Sequence, residues 1–134
     1  MSRKQLTFDF SPKYQWRRIE ESPEDREKIN GTCLVGSISC TWETLVNTFG
    51  LPDSGDGYKV DAEWDIVFKG TTWDLMFGKD IVACIYNWKD GPSSGGPDTR
   101  FLTRWNIGGK LSLAKEYVIQ AILEKGGSLL PDNE

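Results

Sequence analysis

Trp105-Asn106-Ile107-Gly108-Gly109-Lys110 brings together residue types that can hold an anion. Two adjacent glycines free the backbone and bare its amides, and the lysine stands just ahead of a helical pattern. A strand ending there would aim N–H groups and the positive end of a helix dipole at a phosphate. The G-x-x-x-x-G-K-[ST] spacing of a P-loop is absent, and the same glycines also suit a plain β-to-α turn. Trp88 and Trp105 fall near strand ends beside Lys89, Arg104 and Lys110. Aromatic rings next to basic groups suit a ligand with a flat base and a phosphate, and they equally suit a protein hot spot. The expected ligand-binding set is therefore Trp88, Lys89, Arg104, Trp105, Asn106, Gly108, Gly109 and Lys110.

A second group is the acidic row Asp61, Glu63, Asp65. At strand rise these carboxylates project to one side about 6–7 Å apart. Such a row can bind a divalent cation or meet a basic partner. Hard-metal sites usually draw ligands from several elements, with carbonyls and water, so a strand face turned to water is the expectation, with no metal and no cofactor. The chain has no histidine, which removes Ser-His-Asp, Cys-His and H-E-x-x-H chemistry. No carboxylate, lysine, tyrosine or cysteine is paired at a recognisable catalytic spacing, so a non-enzyme is expected. Cys33, Cys40 and Cys84 are odd in number and lack C-x-x-C spacing, and they read as buried free thiols.

The elements that must position these residues follow from periodicity. From Tyr58 to Phe68 apolar and charged residues alternate, the mark of a strand with one buried and one wet face. Ile81–Trp88 is apolar on both parities, as in a central strand covered on both sides, and Phe101–Ile107 alternates again. Thr32–Ser39 reads as a further strand. Thr41 caps a short helix whose Trp42, Leu45, Val46 and Phe49 share a face, ended by Gly50 and Pro52. Ser112–Lys125 is a longer helix with Ala114, Val118, Ala121 and Ile122 on one side. Gly70–Lys79 is too apolar for a bare loop and suggests an extended hairpin or a segment folded back onto the core, and Asp90–Asp98 is a Gly/Pro/Ser-rich loop.

The 134 residues make one domain by length, with 27% charged residues, as in an ordinary globular chain. No apolar run approaches the ~20 residues of a membrane span. No secretory signal is recognisable, so a cytoplasmic setting is expected. Residues 1–31 read as an N-terminal arm with a short helix starting at Ser22-Pro23, residues 32–127 as a single α+β domain, and 128–134 as a frayed tail. The first twenty residues carry five Lys/Arg against Asp9 and Glu20, net +3, while the other 114 carry 11 basic and 18 acidic groups, net −7. The expected architecture is two-layered: a mainly antiparallel sheet of about four strands, in the order β-α-β-β-β-α, with two helices packed on one face.

The segments Thr41–Pro52, Gly55–Trp64, Ile85–Lys89 and Trp105–Gly109 together resemble a family of small uncharacterised proteins from tailed bacteriophage genomes. The resemblance spans about residues 32–123 and leaves the arm uncovered. It implies an accessory protein that counters host defence and acts in the host cytoplasm, by one of two known routes. The leading expectation is a non-catalytic binder that sequesters a nucleotide-derived immune signal. The alternative is an inhibitor of a host defence protein, resembling an anti-CRISPR protein. It would grip through the arm residues Tyr14, Trp16, Arg17 and Arg18 or through Asp61, Glu63 and Asp65. An enzyme degrading the nucleotide signal ranks third. No membrane partner or direct nucleic-acid binding is expected, and the open edge of a short sheet leaves a homo-oligomer available.

Overall fold

A computed structural model describes residues 14–57, 59–69 and 79–131. Within them the chain forms six strands and three helices. They are β1 (Trp16–Arg18), α1 (Pro23–Arg26), β2 (Cys33–Ser39), α2 (Trp42–Phe49), β3 (Asp53–Ser54), β4 (Ala62–Lys69), β5 (Asp80–Tyr86), β6 (Arg104–Gly109) and α3 (Leu113–Glu124). The sheet is open and antiparallel, ordered β1-β4-β5-β6-β2. Short β3 pairs with the start of β4 (Asp53 opposite Glu63), on the edge that β1 occupies further along (Trp16 opposite Phe68). The architecture is thus α+β as expected, with six strands instead of about four. The two additional strands are two and three residues long, too short to show period 2.

The local signals act as their chemistry dictates. Thr41 Oγ1 accepts from the Thr44 amide at 3.1 Å, and Gly50 closes α2 at φ 91°, a conformation that costs glycine little. On the helix side of the sheet, Ala62, Trp64, Ile66 and Phe68 of β4 meet Ile81, Ala83 and Ile85 of β5 and Trp105 and Ile107 of β6. Leu45 and Phe49 of α2, with Ala114, Tyr117, Val118, Ala121 and Ile122 of α3, cover them. Burying each large side chain contributes about 1.5–3 kcal/mol. Trp64 and Trp105 lie edge to face at 5.4 Å, and each indole N–H reaches a backbone carbonyl, of Gly50 at 2.8 Å and of Cys40 at 3.1 Å.

The other side of the sheet departs from expectation. Residues 19–32 fold across it, and Ile19 and Ile29 pack on Val67 and Val82 in a second, smaller core. Tyr14 and Trp16 set their rings against Tyr117 and Phe49 at 4.9 and 5.0 Å. At the far end of the chain, Leu129 packs on the main core and the Leu130 amide donates to Ser39 O at 2.8 Å. The expected hairpin over Gly70–Lys79 lies, but for Lys79, outside the described residues. Among the described residues no helix is long and apolar enough to cross a membrane.

Candidate functional site

Asn87 builds the corner that follows β5. Its side chain is 1% exposed, accepts from the amides of Asp61 (2.7 Å) and Ala62 (3.0 Å), and donates to Asp61 Oδ2 (3.0 Å) and Asp90 Oδ1 (3.1 Å). All four polar valences of a buried amide are thereby met. The Ser93 amide donates to Asp61 Oδ1 at 3.0 Å, and Gly91 is small because a Cβ there would collide with the Asp61 carboxylate. Burial opposes ionisation of Asp61, but the Ser93 and Asn87 hydrogen bonds prevail and hold its carboxyl below the usual range. Lys89 takes a positive φ of 59°, and its amide donates to Lys59 O at 2.7 Å.

This turn presents Trp88 outward. The ring is in a residue 46% exposed, and the ammonium groups of Lys59 and Lys89 stand 5.3 and 5.7 Å from its centroid. Tyr86 pairs with Asn106, so Trp88 and Arg104 leave the sheet at the same end. Phe101, 73% exposed, lies in the loop between them.

The remaining expected ligand residues do not join this group. Trp105 is wholly buried in the main core, where its volume completes the packing. Asn106 is half-buried inside β6. Gly108 and Gly109 are strand residues, paired with Cys84 and Ala83 on one side and with Leu34 and Cys33 on the other. They are therefore not a β-to-α turn, and their backbone belongs to the sheet. The helix begins at Leu113 without a side-chain cap. Lys110 lines a cavity of about 180 Å³ with Lys28, Asp80, Ile81, Val82 and Leu111, at the opposite end of β6 from Arg104 and roughly 20 Å away at strand rise.

The residues expected to meet a protein partner are largely engaged within the chain. Arg17 forms a two-pronged pair with Asp25 (2.8 and 2.8 Å), and Arg18 donates to the carbonyls of Phe49 and Leu51 and to Asp53. The acidic row does not meet water as expected: Arg26 of the covering segment holds Asp65, and the Asn87–Ser93 corner holds Asp61. Asp61 and Glu63 are half-buried and Asp65 is 2% exposed. Arg26 holds Asp65 Oδ2 at 2.9 Å, while Asp65 Oδ1 is buried without a hydrogen-bond partner among the described residues.

Cys84 is the cross-strand partner of Asp65, and Glu63 stands two residues before Asp65 on the same face. One donor atom from each of the three lies within 4.8 Å of the other two. Burial and the adjacent Asp65 carboxylate push the Glu63 carboxyl up to about 8. Burial, then Asp65, push the Cys84 thiol far above its ordinary value, and burial alone raises Cys40 to about 12. Cys40 and Cys84 are buried free thiols as expected, whereas Cys33 is exposed on edge strand β2. Sequence reasoning missed Lys59 and Asn87 at the corner and Arg26 and Cys84 at the carboxylates. The strand expected over Ile81–Trp88 ends at Tyr86, because Asn87 turns the chain there; the Asn, Asp and Gly of residues 87–91 are turn formers that could have marked the corner. Nothing local announced the pairing of Cys84 with Asp65, which depends on strand register. Models of known protein families, curated proteins and solved structures contain no match to this chain.

Proposed function

We propose that the protein is a non-catalytic binder of a nucleotide-type ligand, and that Trp88 with Lys59 and Lys89 is its recognition corner. The observation that carries this reading is an exposed indole flanked by two ammonium groups on a turn locked by the buried Asn87 amide. A base stacks on the ring and phosphates meet the lysines, with Arg104 at the same end of the sheet. Preorganisation by Asn87 lowers the ordering cost of binding. The resemblance to phage accessory proteins supplies the biological setting: sequestration of a nucleotide-derived immune signal without turnover. Submicromolar affinity, about 8 kcal/mol or better, is needed for that role.

Calorimetric titration with a panel of mono- and cyclic nucleotides tests the reading. A member of the panel binds wild type, and Trp88→Ala and Lys89→Ala each abolish the heat while the melting temperature holds. Native mass spectrometry then returns the nucleotide at unchanged mass, and a shifted mass moves the assignment to an enzyme. If Trp88→Ala binds as wild type does, the corner is not the site. The exposed Phe101, in the loop that joins Trp88 to β6, favours, as the second reading, a protein hot spot of a host-defence inhibitor. Retention of a host polypeptide by wild type, lost in Phe101→Ala, selects it.

A further inference from the structure

We propose that Glu63, Asp65 and Cys84 form a binding site for one divalent transition-metal ion of the zinc class. This site shares no residue with the Trp88 corner and stands independently of the function proposed there.

Three observations carry it. Strand pleat puts Glu63 and Asp65 on one face, and the β4–β5 register sets Cys84 directly opposite Asp65, so that one donor atom from each lies within 4.8 Å of the others. Donors around one zinc ion stand ~3–4 Å apart, given metal–ligand bonds of ~2.0–2.3 Å, so small rotamer changes close the set. Secondly, Asp65 is 2% exposed, and apart from the protons of Glu63 and Cys84 at the site itself no donor reaches its Oδ1 among the described residues, while Arg26 fixes Oδ2 at 2.9 Å. A buried carboxylate oxygen without a donor is costly unless something positive faces it. Arg26 acts as the outer partner that orients a ligating carboxylate. Thirdly, the charges balance. Two carboxylates and a thiolate carry −3, Arg26 contributes +1, and a divalent ion brings the sum to zero.

Ligand chemistry selects the ion. Calcium and magnesium prefer all-oxygen shells, whereas a thiolate with carboxylates suits zinc or cobalt(II). Three protein ligands leave a fourth position for water or an incoming donor. On binding, the Cys84 thiol, and Glu63 where it is protonated, release their protons to solvent as the metal bonds form.

The test uses the full chain, kept reduced and stripped of metal, titrated with cobalt(II) and then zinc(II). The expected result is one cobalt per chain with a thiolate-to-cobalt charge-transfer band that zinc abolishes. Cys84→Ser removes the band, Cys33→Ser and Cys40→Ser keep it, and Glu63→Gln weakens cobalt binding by at least about tenfold. A missing band in wild type, or a band that survives Cys84→Ser, overturns the proposal. Should Cys84→Ser fail to fold by circular dichroism, Glu63→Gln decides: unchanged cobalt affinity there overturns it, and the Asp65 oxygen is then met by the proton on Glu63.

Discussion

At Glu63 two carboxylates meet in a half-buried place, with Arg26 opposing Asp65 and Asp53 across the β3 rung. The folded protein holds the Glu63 proton up to about pH 8, whereas an unfolded chain releases it near 4.5. Between those values the folded state binds more protons, so rising pH favours unfolding. The contribution is complete below about 4.5, declines through neutrality and is gone above about 8. In metal-free protein, urea midpoints therefore fall from pH 5 to pH 8 for wild type, and Glu63→Gln flattens that limb. A slope unchanged in Glu63→Gln assigns it to another group. Asp25 behaves oppositely: the Arg17 guanidinium and the Glu20 amide hold it well below the carboxylate range. Its stabilisation is present above its unfolded value of 3.8 and is lost as pH falls through the depressed folded value. Residue types alone placed Trp88 and Lys89 near a strand end, where both are exposed, but they misplaced Trp105. A tryptophan near a strand end is lexically the same whether its ring faces solvent or the core.

Among the elements, α2 was legible from its Thr41 cap and both α2 and α3 from a 3.6-residue period, signals that lie within the helix itself. Strand β6 was legible in its alternation and not in its end. Gly108 and Gly109 resemble a turn, yet the sheet extends through both, since β2 and β5 supply partners on either side. The two glycines serve different neighbours. A Cβ on Gly109 would stand 2.7 Å from the Ala114 Cβ of α3, whereas one on Gly108 would make ordinary contacts of 3.5–3.6 Å. Gly109→Ala consequently costs about 1–3 kcal/mol through displacement of α3, and Gly108→Ala costs distinctly less. Equal urea midpoints for the two variants would contradict this account of how α3 docks.

In the whole molecule, the decisive feature is the cover that residues 19–32 lay over the second side of the sheet. It converts an alternating strand, expected to have one wet face, into one with Val67 and Asp65 buried. The Arg26–Asp65 pair ties that cover to β4. Arg26→Met leaves Asp65 buried against no cation and lowers stability by ~2 kcal/mol, measured by denaturant unfolding. An Asp65→Asn, Arg26→Met double variant recovers part of the loss, because the uncompensated charge has gone. Failure of the second change to restore anything would mean that Arg26 acts through packing alone. The sequence by itself determined the helices, the four longer strands and the α+β class, because each depends on residues within a few positions of one another. Tertiary structure alone decided that Trp105 is core, that the glycines are strand, and that Glu63, Asp65, Cys84 and Arg26 converge. Those outcomes depend on register between strands and on which segment covers which face, and pairings between residues 19 to 76 positions apart leave no period in the chain.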